Sequence, residues 1–99
     1  MHVVALVGDL MDRSRISGAQ PEVVFAQTAA ECAGADVVIV DLARHASALR
    51  TVREQAPDAR IVAFGPHVDD ASLTNAQRDG ADRVLPRSRF FRDIVAAIA

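Results

Sequence analysis

Five short apolar runs, rich in valine, are the feature that most limits the folds open to this chain. They cover residues 2–7, 22–26, 36–40, 60–64 and 83–85. None alternates apolar with polar residues, so each is typical of a strand that is buried on both faces. Strands of this kind occur in parallel sheets that are covered by helices on both sides. The sequence therefore predicts an α/β protein built on a five-stranded parallel sheet.

Helical patterns lie between and after these runs. Apolar residues recur three or four positions apart in residues 43–55, 70–79 and 90–99. Gly80 follows the second of these segments, where a glycine commonly ends a helix. A weaker helical pattern covers residues 12–17, with Ile16 as its candidate core residue, and Thr28 and Glu31 have the spacing of a capping box. Five strand–helix units in 99 residues predict one compact domain that spans residues 1–99.

The composition excludes several classes of protein. All 11 basic residues are arginine, and the formal net charge is −2, so the broad positive field of a nucleic-acid-binding protein is missing. The absence of lysine excludes Schiff-base chemistry. Cys32, the single cysteine, has no partner for an internal disulfide or for a cysteine-based metal site. No apolar run approaches the roughly 20 residues of a membrane-spanning helix, so we expect a soluble, cytoplasmic protein.

Chemically useful side chains follow several of the predicted strands. Asp9, Asp41, Gly65, His67 and Arg87 each lie at or just after the carboxyl end of a run. Right-handed crossovers bring these ends to one edge of a parallel sheet, where ligands of such folds bind. These residues are therefore expected to converge on one crevice, although they are far apart in sequence.

Two segments carry a resemblance to a known family. Residues 36–42, which read DVVIVDL, and residues 80–85, which read GADRVL, resemble the third strand and the start of the fifth strand of response-regulator receiver domains. The resemblance extends over essentially the whole chain. It implies a flavodoxin-like, three-layer sandwich with strand order 2-1-3-4-5 and short helices on both faces. It also implies that Asp41 is the phosphoacceptor and that Asp9 and Asp41 are the ligands of Mg²⁺.

Other positions depart from the receiver pattern. Gly8 stands where the first residue of the acidic pair is expected, and Gly65 stands where a hydroxyl residue holds a phosphoryl oxygen. Val84 replaces an aromatic residue, Arg87 replaces the lysine that pairs with the phosphoryl group, and Ser88 replaces a proline. The chain is therefore predicted to be a degenerate, shortened receiver (a pseudo-receiver).

The predicted crevice admits more than one arrangement. Arg87 is expected to form a bidentate ion pair with Asp41, which would be constant where the receiver's contact is switchable. An ordinary surface charge is the alternative for Arg87. Asp41 as the cap of the following segment is the alternative. No cofactor is required; Mg²⁺ at Asp9 and Asp41 is a candidate with one carboxylate missing, and a transition metal held also by His67 is a further alternative.

The end of the chain is a candidate partner surface. It combines arginines with two adjacent aromatic residues, namely Arg83, Arg89, Phe90, Phe91 and Arg92. Adjacent helical residues point about 100° apart, so only one phenylalanine is expected to lie fully in the core. An aromatic residue flanked by arginines is typical of an interface anchor. A protein partner, which includes a second copy of this chain, is expected; an ordinary solvated helix start is the alternative.

Three functions remain open from the sequence. The first is a non-catalytic signalling adaptor that binds another protein, with phosphoryl switching lost or weakened. The second is a working phosphoacceptor at Asp41 in a phosphorelay. The third is a small-ligand or metal sensor that uses the crevice around Asp9, Gly65, His67 and Arg87. An enzyme is not expected, because no nucleophile with a paired base and no phosphate-binding loop is present.

Overall fold

The computed structural model describes residues 1–66 and 69–99 and contains a five-stranded parallel sheet. The strands are β1 (Val3–Leu6), β2 (Val24–Phe25), β3 (Val37–Asp41), β4 (Arg60–Gly65) and β5 (Arg83–Pro86). Their order in the sheet is β2-β1-β3-β4-β5, and every neighbouring pair is parallel. The predicted fold class and strand order are confirmed.

Helices connect the strands on both faces of the sheet. They are α1 (Leu10–Ala19), α2 (Leu42–His45), α3 (Leu49–Gln55), α4 (Asp70–Arg78), α5 (Arg87–Arg92) and α6 (Ile94–Ile98), with 3-10 helices at Ala29–Cys32 and Ala46–Ala48. Two predicted helices are therefore interrupted. The segment 43–55 changes direction at His45, whose φ of −124° and ψ of 17° are not helical. The segment 90–99 is broken at Asp93, whose carboxylate accepts the N–H of Ala96 and begins α6.

The core consists of two apolar layers, one on each face of the sheet. Alternate residues of a strand point to opposite faces, so Val38 and Val40 pack with α3 and α4 while Val37 and Ile39 pack with α1, α5 and α6. The central strands are buried on both faces, as their unalternating sequences predicted. The edge strand β2 is the exception, because Val24 remains 49% exposed. Among the residues that the structure describes, no helix has the length and apolar character needed to span a membrane.

The connection between α4 and β5 is held by one arginine. Arg53 donates hydrogen bonds to the carbonyl oxygens of Gly80 and Ala59 and to the carboxylate of Asp82, each with a contact at 2.7 Å. Gly80 has a φ of +116°, and a Cβ added there would lie 2.8 Å from the Arg53 Cβ. The glycine that was expected to end the helix is therefore required both by its backbone conformation and by close packing.

Candidate functional site at the carboxyl edge of the sheet

Asp41 is the last residue of β3, and its side chain caps the next helix. The residue is 4% exposed, and its Oδ1 accepts the backbone N–H of Ala43 at 3.0 Å. Helix α2 begins directly after the strand, so the carboxylate lies beside the unpaired N–H groups of its first turn. In the structure Asp41 is therefore a helix cap, which is one of the roles that the sequence left open for it.

Asp9 and Gly8 follow β1 at the same edge. The exposed Asp9 caps α1, because its Oδ1 accepts the N–H of Asp12 at 3.0 Å. Gly8 faces an arginine from α2: a Cβ added to Gly8 would lie 4.0 Å from the Nη1 of Arg44. A guanidinium thus lies next to the position where the receiver pattern has its first acidic residue.

Arg87 begins α5 and forms a bidentate ion pair with Asp12 of α1. Its Nη1 donates to Asp12 Oδ2 at 2.9 Å, and its Nη2 donates to Asp12 Oδ1 at 2.8 Å. The expected pair between Arg87 and Asp41 is therefore wrong. The carboxylate of Asp41 is turned to the backbone of α2, whereas Asp12 lies on the first turn of α1, within reach of the first residue of α5.

The Asp12–Arg87 pair perturbs both partners. The hydrogen bonds from Arg87 hold the pKa of Asp12 below its ordinary value, against the opposing effect of burial. The hydrogen bond to Asp12 raises the pKa of Arg87, and the charges of Asp41 and Asp9 add to that increase. The two carboxylates at the strand ends therefore lie within the field of Arg87, although neither is paired with it.

Sequence reasoning missed Asp12 as a site residue. It precedes Ile16 by four positions and so lies on the buried face of α1, where an unpaired carboxylate would be costly. That spacing was the available signal. It requires a cationic partner for Asp12, but it does not say which arginine supplies the charge.

An aromatic cluster lies beneath this ion pair. Phe64 of β4 stacks on Phe90 with ring centroids 4.7 Å apart, and Phe91 meets both rings edge to face. The guanidinium of Arg87 lies 5.0 Å from the centre of the Phe91 ring, and that of Arg15 lies 4.2 Å from it. Cations at such distances are attracted to the ring faces.

Both phenylalanines are buried, so the expectation that only one could lie in the core is wrong. Phe90 is 0% exposed and Phe91 is 8% exposed. The α5 helix is only 6 residues long, and α1 packs on it, with Ile16 in the same apolar cluster and Arg15 over the Phe91 ring. The aromatic part of the predicted partner surface is therefore inside the protein.

The arginines of that predicted surface differ from one another. Arg83 donates to the carbonyl oxygens of Ala96 and Ala97 at the end of α6. Arg89 and Arg92 are exposed, and no ion pair within residues 1–66 and 69–99 includes them.

The two remaining residues of the predicted crevice are Gly65 and His67. Gly65 ends β4 and, with Pro66, lines a groove of about 320 Å³ whose other wall is α2, α3 and α4. His67 lies outside the described residues. The structure places Asp9, Asp41 and Arg87 at one edge of the sheet, and it brings Asp12 and Arg44 to them.

The described side chains do not fit a divalent metal well. Within residues 1–66 and 69–99, no three His, Cys, Asp or Glu residues form a group that could hold a metal ion. Asp9 and Asp41 each already accept a backbone N–H, and the guanidiniums of Arg44 and Arg87 lie at the same edge. Mg²⁺ needs oxygen ligands in near-octahedral geometry, and fixed positive charges oppose it.

Comparison with known proteins identifies the fold. No family model and no curated protein matches the chain. Solved structures do match it, and one is a response regulator from Burkholderia pseudomallei with a phosphorylated aspartic acid, at a TM-score of 0.79 and 21% identity over 99% of this chain and 65% of that one. A response regulator from Thermotoga maritima matches at a TM-score of 0.75 and 18% identity, over 98% of this chain and 96% of that one. A CheY-like protein, TadZ, from Pseudomonas aeruginosa matches at a TM-score of 0.75 and 17% identity, over 97% of this chain and 94% of that one. The chain thus spans about two thirds of the first of these proteins. The strand order, the helices on both faces and these likenesses together show that the chain has the flavodoxin-like fold of response-regulator receiver domains.

Proposed function

We propose that this domain is a signalling adaptor that binds another protein and that phosphoryl control through Asp41 is lost or weakened. The similarity to response regulators supports a signalling role. The observation that carries the proposal is the bidentate pair of Arg87 with the buried Asp12. The residue at the place of the receiver's phosphoryl-pairing lysine is already engaged by another carboxylate.

Moving Arg87 to a phosphoryl group on Asp41 would have a high cost. Asp12 has a side-chain exposure of only 6%, and the move would leave its carboxylate buried without a partner. Breaking a buried pair in this way costs about 3–5 kcal/mol. Before any gain from the phosphoryl contact, a penalty of about 3 kcal/mol lowers the population of the rearranged state roughly 150-fold. This cost favours a single conformation of the domain, as expected of a constant adaptor.

Other residues at the edge also weaken phosphoryl chemistry. Gly65 has no hydroxyl group to hold a phosphoryl oxygen, and Gly8 has no carboxylate to hold a metal. The chain keeps an aspartate, Asp41, at the carboxyl end of β3. This observation favours the second candidate function, a working phosphoacceptor.

Labelling separates these two functions. The chain is incubated with acetyl phosphate and Mg²⁺, and an acid-labile phosphoryl group is measured by intact mass spectrometry. The matched control is Asp41→Asn, and a receiver known to accept the phosphoryl group is the positive control. We expect no difference between the wild type and Asp41→Asn. A labelled fraction that disappears in Asp41→Asn would establish the phosphoacceptor function instead.

Binding to a partner is tested on the exposed arginines of α5. Arg89 and Arg92 are available to acidic groups of another protein. Affinity capture with chemical cross-linking compares the wild type with the double variant Arg89→Ala/Arg92→Ala. Arg60→Ala, an exposed arginine at the start of β4, is the control. We expect loss of the cross-linked partner in the double variant only. A strictly monomeric chain that recovers no partner would contradict the proposal.

A further inference from the structure

A second, smaller cavity lies at the carboxyl ends of β1 and β2. Its volume is about 130 Å³, and it is lined by Val7, Gly8, Arg13, Ala26, Gln27 and His45. It is separate from the groove beside Gly65. Ligand pockets for drug-sized molecules have volumes of about 300–1,000 Å³, so this cavity has room only for a small ion with its water.

Basic side chains from two helices line this cavity or lie beside it. Arg13 of α1 is held in place, because its Nε donates to the carbonyl oxygen of Val7 at 2.6 Å and its guanidinium lies over the Phe25 ring. From α2, His45 lines the cavity, and Arg44 has its Nη1 close to Gly8.

These guanidiniums are not neutralised by ion pairs. No ion pair within the described part of the chain includes Arg13 or Arg44. The acidic residues of the same edge keep their charge, but none of them lines the cavity: Asp9 and Asp41 cap helices, and Asp12 pairs with Arg87. The positive charge beside Gly8 is therefore available to an anion.

We propose that this cavity binds a small tetrahedral oxyanion, such as phosphate or sulfate, held by Arg13 and His45, which line it, and by Arg44, which lies beside Gly8. Guanidinium groups match oxyanions in geometry and charge. Gly8 has no side chain, so an anion can approach its backbone closely. The edge of the sheet that carries a divalent cation in receivers carries an anion here. This site goes beyond the adaptor function and does not depend on it.

Binding is measured by isothermal titration calorimetry with sodium phosphate and with sodium sulfate. Sodium chloride at matched ionic strength and magnesium chloride are the comparison titrations. We expect saturable binding of the oxyanions. Arg44→Ala should weaken it about tenfold or more, since one charge-assisted contact contributes that much. Arg60→Ala, at the amino end of β4, should leave the Kd unchanged, which separates a specific contact from the loss of one positive charge.

A second variant and a second measurement locate the site. Gly8→Asp places a carboxylate beside Arg44, so it should abolish oxyanion binding; Gly8 is exposed and its added Cβ meets no atom closer than 4.0 Å. In ¹H–¹⁵N spectra, phosphate should shift the amide signals of Gly8 and Gln27. The proposal is overturned if oxyanions bind no better than chloride, if Arg44→Ala keeps the wild-type Kd, or if Mg²⁺ binds and phosphate does not.

Discussion

Replacing Arg87 should destabilise the fold more than replacing its partner Asp12. The side chain of Arg87 is 39% exposed and that of Asp12 only 6%. In Arg87→Met, the carboxylate of Asp12 stays buried without a partner, which costs about 3 kcal/mol, the lower end of the range for broken buried pairs. In Asp12→Asn, the guanidinium of Arg87 can reach water and keeps the amide oxygen of the asparagine as an acceptor. Because solvent screens its charge, the loss in unfolding free energy should be only about 1.5 kcal/mol.

Urea unfolding followed by far-UV circular dichroism measures these losses. The chain has no Trp or Tyr, so fluorescence is not a convenient signal. The double variant Asp12→Asn/Arg87→Met should lose less than the sum of the single losses, because the two residues form one pair. Arg50→Met, which removes the exposed ion pair with Asp79, is the control and should have a smaller effect than either. Equal losses for the two single variants, or a larger loss for Asp12→Asn, would refute the reasoning.

Acidification provides an independent check on the same pair. The pKa of Asp12 is lower in the folded protein than its ordinary value of 3.8, so the contribution of the carboxylate is present above that pH and is lost as the pH falls through the folded pKa. The difference in unfolding free energy between the wild type and Asp12→Asn should therefore shrink from pH 6 to about pH 3. A difference that does not change with pH would contradict the assignment.

Three further predictions concern the core and the turns. Gly80→Ala should lower the free energy of unfolding, measured in urea, more than Gly34→Ala does. Both glycines have a positive φ, which costs about 1–2 kcal/mol for alanine. Only the Cβ added at Gly80 meets another side chain, at 2.8 Å. Phe90→Ala should cost about 3–5 kcal/mol, because the residue is fully buried and stacked, whereas the control Val95→Ala, which is 58% exposed, should change stability by less than about 0.5 kcal/mol. Cys32 should react slowly with a thiol reagent in the native state and quickly in urea, because burial raises the pKa of its thiol; fast native reaction would contradict its buried position.

The arrangement of strands could be predicted from local sequence. Each central strand is buried on both faces, so its apolar residues run without alternation and stand out from the rest of the chain. The capping box was also predicted from the spacing of Thr28 and Glu31, and in the structure Glu31 accepts the backbone N–H of Thr28 as that box requires. The two breaks at His45 and Asp93 were not predicted, since helical spacing of apolar residues continues through both positions.

The candidate site was predicted only in part. Asp9, Asp41 and Arg87 were expected at one edge of the sheet because parallel strands end together, and the structure confirms that placement. The partner of Arg87 could not be predicted, since Asp12 is 75 residues away in sequence and the choice between it and Asp41 depends on side-chain direction.

The sequence by itself determined the α/β sheet, its buried strands, the absence of lysine and the other departures from the receiver pattern, at Gly8, Gly65, Val84 and Ser88. These follow from residue type and spacing, which act locally. The tertiary structure decided which charges pair and which aromatic residues are covered. Phe91 is buried because α1 lies over it, and Arg44 faces Gly8 because α2 starts without a loop after β3. Such contacts join elements that are distant in sequence, so only the packing of those elements specifies them.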